Sequence, residues 1–146
     1  MQIFGWIDLG GFSIISGDKK KVLISVGLSV RNLIFKAMDD CLTLEILEEG
    51  ILWHDPRSHI LIFEAEKEKV IEAFHRTFYC IRQLKDWFGP LAEAKLTEGE
   101  DDRHMVMKVL YHLVKILKEY DGDTVIFRDD YCVDAEDDYP ELYKLK

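Results

Sequence analysis

The sequence predicts a single α+β domain, residues 1–146, in which an antiparallel sheet of short strands packs against two long amphipathic helices. Three observations lead there. The first quarter is made of apolar runs cut by glycine and aspartate every few residues. Two later stretches repeat their apolar residues with helical spacing, and short β-like runs return between and after those stretches.

The first 26 residues predict a three-stranded meander. Residues 2–8 are bounded by Gly10-Gly11, residues 12–16 end at Gly17-Asp18, and residues 21–26 follow the lysine turn and stop at Gly27. Val30, Leu33, Ile34, Ala37, Met38, Cys41 and Leu42 then follow the i, i+3, i+4, i+7 rule, so an amphipathic helix is expected with Ser29 as its N-cap. From 43 to 65 the signal is β again. Runs at 43–47, 51–53 and 59–64 are separated by turn chemistry at Gly50 and Pro56.

Residues 66–88 carry the strongest helical stripe: Val70, Ile71, Phe74, Phe78, Ile81, Leu84, Trp87 and Phe88, stopped by Gly89-Pro90. A second long helix is expected over 101–120. Its apolar positions span more than half the circumference, so it packs on two sides, or on one side with a partner on the other. Asp121-Gly122-Asp123 ends it, and 124–128 reads as a strand. Beyond that the pattern weakens, and Tyr139-Pro140 leaves the last residues a short turn or strand at most.

Composition excludes several functions. With 48% hydrophobic and 32% charged residues the chain is too apolar for general disorder. No apolar segment approaches the roughly 18 residues that cross a bilayer. No basic start runs into a long apolar stretch, so a secretory leader is not expected. Cys41, Cys80 and Cys132 sit among apolar neighbours and share no close spacing. They read as small core residues in a reducing cytoplasm. A net charge of −9 argues against nucleic acid as a partner, because phosphate neutralisation needs clustered Lys and Arg.

Catalytic and metal-binding patterns are weak. There is no H-E-x-x-H, no C-x-x-C and no G-x-S-x-G, so no catalytic residue, metal ligand or cofactor is assigned. His54 and His59 flank a turn with Asp55, and the tail carboxylates could in principle join them in a metal-dependent or acid–base enzyme. That reading is an alternative only, since neighbouring aspartates in a strand point to opposite faces.

Charge is where the sequence is most informative. The segment 121–146 holds nine acids against Arg128, Lys144 and Lys146, about −6 of the chain's −9, with tyrosines threaded among them. Such a surface suits a basic protein partner. Asp129, Asp130, Asp134, Asp137 and Asp138 would supply the charge, and Tyr131 and Tyr139 the anchoring area. No family motif matches residue by residue. In size, acidity and α+β pattern the chain resembles the small immunity proteins that neutralise bacterial toxins, many of them nucleases. The resemblance implies a non-enzymatic inhibitor that masks a basic surface. The alternative is an adaptor or regulatory subunit that forms a homodimer or hetero-oligomer through 101–120.

Overall fold

Phe12–Ser16 is buried at every position, so it can only be an inner strand, and the sheet is built around it. The computed structural model describes residues 3–4, 11–48, 62–85, 87, 99–130 and 140–145. In chain order these form β1 (Ile3–Phe4), β2 (Phe12–Ser16), β3 (Val22–Val26), α1 (Leu28–Asp40) and α2 (Leu44–Glu48). After these come β4 (Ile62–Glu66), α3 (Lys67–Gln83), α4 (Gly99–Glu119), β5 (Thr124–Asp129) and α5 (Pro140–Tyr143). The sheet order is β1-β3-β2-β5-β4, and β2 through β5 pair antiparallel throughout. The predicted α+β class is the observed one.

The N-terminal meander is corrected. Strand β1 lies beside β3, not β2, and runs parallel to it, with Ile3 opposite Ser25. Only β2 and β3 form a hairpin. Its turn is closed by Ser16, whose hydroxyl donates to Asp18 at 2.6 Å, while the Lys20 amide donates to the same carboxylate at 3.0 Å. Those two donors, the Ser16 hydroxyl first, hold the Asp18 carboxyl below its ordinary range.

Alternation sorts the strand residues between two faces. Phe12, Ile14, Ile24, Val26, Phe63, Val125 and Phe127 point to one face and join the main core. Phe127 stacks on Phe63 with ring centroids 4.5 Å apart and on Phe12 at 5.6 Å. Helices α1, α3 and α4 cover this face through Val30, Leu33 and Ile34, Val70 and Phe74, and Val109, Leu110 and Leu113. Ile15, Ile62 and Ile126 point the other way and meet Leu142 of α5.

Three helix boundaries depart from expectation. The N-cap of α1 is Gly27 in an extended conformation, and Ser29 lies inside the helix. Residues 43–47, expected as a strand, enter α2 instead. Over five residues the Leu44/Ile46 alternation and the Leu44/Leu47 spacing cannot be separated, and docking of Leu47 in the core decides for the helix. Helix α3 ends at Gln83, before the predicted 88. Trp87 folds back into the core there, and its indole N–H donates to Asp40 of α1 at 2.8 Å. The run at 51–53 and the turns at Gly50, Pro56 and Gly89-Pro90 lie outside the described residues.

The cysteine expectation is also corrected. Cys41, just past α1, and Cys80 on α3 form a disulfide with Cα atoms 6.1 Å apart. Beside it the Thr43 and Thr77 hydroxyls hydrogen-bond at 2.6 Å, so the α1–α2 corner is fixed to α3 twice. The inference from cysteine use to a reducing compartment therefore loses its basis for this pair. Among the described residues no helix is long and apolar enough to cross a membrane.

Candidate functional site

Two regions outside the main core concentrate polar and aromatic side chains: the end of β5 with α5, and the groove between α3 and α4.

At the end of β5 the doublet Asp129-Asp130 splits across the sheet, as strand geometry demands. Asp129 turns to the helical face and is only 1% exposed. There the buried Arg31 of α1 reaches it at 3.4 Å, while the same guanidinium lies 5.0 Å from the Phe35 ring centroid. Asp130 turns to the second face, where the Arg128 Nε donates to it at 2.5 Å.

Around Arg128 most of the guanidinium donors find acceptors. Nη2 donates to Ser13 Oγ at 3.2 Å, and Nη1 donates to the carbonyls of Leu142 and of Leu145, the latter at 3.3 Å. Four of the five guanidinium donors are thus engaged. The Ser13 hydroxyl gives its single proton to Asp130, so the Ser25 hydroxyl at 2.8 Å must donate to it. Register explains the convergence, since Ser13 is paired with both Ser25 and Arg128 across neighbouring strands.

This network seats α5. Tyr143 places its ring 5.1 Å from the Arg128 guanidinium and donates its hydroxyl to the Asp129 carbonyl. The expected short turn or strand at the C-terminus is instead a single helical turn opened by Pro140. Proline is well suited to that first position because its missing N–H has no helical partner to lose.

For the sequence-predicted contact residues the consequence is specific. Asp129 and Asp130, expected to face a partner, are neutralised by arginines of the fold itself. Each carboxylate faces one buried guanidinium, as a charge withdrawn from water requires. Tyr131, Asp134, Asp137, Asp138 and Tyr139 lie outside the described residues. Glu141, Asp121 and Asp123 are exposed. Among the described residues no group of three His, Cys, Asp or Glu side chains could hold a metal ion.

The groove between α3 and α4 was not anticipated. The helices run antiparallel, with Arg103 donating to the Arg82 carbonyl at one end and Lys67 to the Tyr120 carbonyl at the other. Between them lies a cleft of about 460 Å³ with a floor of Phe78, Leu110 and Val114. Tyr79 and Tyr111 stand on its walls, 56% and 63% exposed, and His75, Lys115, Lys118 and Glu119 complete the lining. The signal was in the sequence. His104, Lys108, Tyr111, Lys115 and Lys118 recur at helical spacing, but a search for apolar stripes passes over them.

Helix α4 packs against both α3 and α1, the first of the two arrangements expected from its broad apolar circumference. Compared with protein-family models, curated proteins and solved structures, the chain matches none.

Proposed function

We propose that this chain is a non-catalytic protein-binding module that acts as an immunity-type inhibitor, using its carboxy-terminal acids to mask the basic surface of a toxin or nuclease. The observation that carries the reading is the pinning of the acidic segment at both ends. Asp130 is held by Arg128 and Ser13, and ten residues later α5 is held by the same arginine. A binding segment with fixed ends loses less conformational freedom on association than a free tail.

Charge supports the same reading. Each buried pair removes one acid and one base, so the excess of nine acids over bases in the chain stays outside the two pairs. A surface of that sign steers cationic partners and speeds their encounter. The contact set is narrowed to Tyr131, Asp134, Asp137, Asp138 and Tyr139, with Asp129 and Asp130 reassigned to holding the segment.

Co-purification from the native host followed by mass spectrometry tests the proposal. The expected partner is basic and is released as salt rises from about 50 to 500 mM, because exposed charge attraction is screened over that range. The triple variant Asp134→Asn, Asp137→Asn, Asp138→Asn is expected to lose it while melting like the parent. A partner that is acidic, insensitive to salt or retained by the triple variant would defeat the reading.

A further inference from the structure

A chain with a net charge of −9 carries, on the outward side of α4, a stripe of the opposite sign. His104, Lys108, Tyr111, Lys115 and Lys118 are all exposed and lie at i, i+4, i+7, i+11 and i+14, on one side of the helix. Glu119 is the single acid lining the neighbouring groove. On α3, Glu72 is engaged by Arg76 at 2.7 Å. Among the described residues neither Lys115 nor Lys118 has an ion-pair partner.

We propose that the α3–α4 groove docks an acidic amphipathic helix of a partner protein, a surface separate from the acidic segment and selecting the opposite charge. Half-buried Phe78 offers an apolar floor, backed by the buried Val114 and Leu110. Tyr79 and Tyr111 supply large faces with hydroxyl tips, the side chains that anchor protein interfaces. Apolar residues of the incoming helix at i, i+3, i+4 and i+7 lie on that floor, and its acids reach Lys115 and Lys118. On α4 the groove runs from Leu110 to Glu119, about 14 Å or two and a half helical turns, and the stripe continues beyond it to His104.

Other occupants fit the charges less well. Two copies of this chain meeting groove to groove would set the lysine rims against one another. Nucleic acid would meet a cleft with two lysines, far short of the clustered Lys and Arg that neutralising a phosphate backbone needs. A small molecule would be poorly enclosed between two tyrosines that are more than half exposed.

The test uses the full chain and a fluorescein-labelled, helix-forming 15-residue peptide, with Leu and Phe at i, i+3, i+4 and i+7 and Glu on its flanks. A second peptide replaces every Glu with Lys, and oligo-dT serves as the phosphate control. By anisotropy the Glu peptide is expected to bind at least about tenfold more tightly than the Lys peptide. Tyr111→Ala is expected to weaken it about tenfold or more. The double variant Lys115→Glu, Lys118→Glu is expected to reverse the preference. Circular dichroism melting should leave both variants at the parent midpoint, since all three side chains are exposed.

A preference that ignores the rim charges overturns the proposal, as does oligo-dT displacing the Glu peptide. So does concentration-dependent dimerisation in light scattering that Tyr111→Ala abolishes, which would assign the groove to a second copy.

Discussion

One face of the sheet is closed by three helices and, among the described residues, twenty-five buried apolar side chains. Among the described residues the other carries a four-residue helix, four buried apolar side chains and one arginine. The first face gains from area, a diffuse term spread over many contacts. On the second face the described apolar residues that meet α5 are few. Directional bonds from Arg128 hold α5 there. Such a network is stable only while complete, because each missing partner leaves a buried charge or dipole behind.

The largest expected effect follows from that asymmetry. Arg128→Met should cost about 3–5 kcal/mol in urea unfolding, since it strands Asp130, Ser13 and two carbonyls at once. The double variant Arg128→Met, Asp130→Asn should recover part of the loss, because it also removes the unpaired charge. If Arg128→Met costs less than about 1 kcal/mol, the second face is held by its apolar residues after all. Limited proteolysis within 131–146 should accelerate in the single variant, reporting release of α5.

On the helical face the largest localised contribution is covalent. Cys41→Ser should lower stability by about 2–4 kcal/mol, the range for closing a loop of this length, and reduction of the parent should give a matching loss. The two faces differ in how they respond. Loss of the disulfide leaves the packed helices in place and shifts the midpoint. Loss of Arg128 should also lower the denaturant slope as α5 leaves the folded unit.

A smaller effect isolates one hydrogen-bonded atom. Ser13→Ala removes a hydroxyl that accepts from Arg128 and Ser25 and donates to Asp130, so about 1–2 kcal/mol is expected. Ser25→Ala leaves the Ser13 contacts with Arg128 and Asp130 in place and should loosen α5 less. Equal losses would mean that the hydroxyls act as a unit.

What was readable in the sequence divides along similar lines. Helical spacing revealed α1, α3 and α4 because their apolar residues repeat locally, within four positions of one another. Strand alternation foretold that Asp129 and Asp130 would diverge. It could not say what each would meet, since Arg31 lies 98 residues from Asp129 and no local pattern links them. Cys41 and Cys80, 39 residues apart, were hidden for the same reason. The end of α3 was missed because Trp87 prolongs the apolar stripe while a hydrogen bond to α1 breaks the helix. The groove was legible in principle. Reading exposed faces for charge, as buried faces are read for hydrophobicity, would have set Lys108, Lys115 and Lys118 against a net charge of −9.

A last comparison separates the two roles assigned to the acids, and its Asp138 half carries the smallest expected effect. Asp130→Asn keeps the size of the side chain but removes the charge facing Arg128, so about 1–3 kcal/mol should be lost. Asp138→Asn, in the proposed contact set, should change stability by less than about 0.5 kcal/mol, as the role of a partner contact requires. Binding should respond in the opposite order per unit of stability. Asp138→Asn weakens the basic partner directly, through charge, and more at low salt than at high salt. Asp130→Asn weakens it only through loosening of the anchored end, with little salt dependence in the change. A salt titration of both variants against the co-purified partner distinguishes these signatures. Should the two aspartates behave alike in both measurements, the division of the acidic segment into anchor and contact is wrong, and with it the argument that fixed ends prepare the segment for binding.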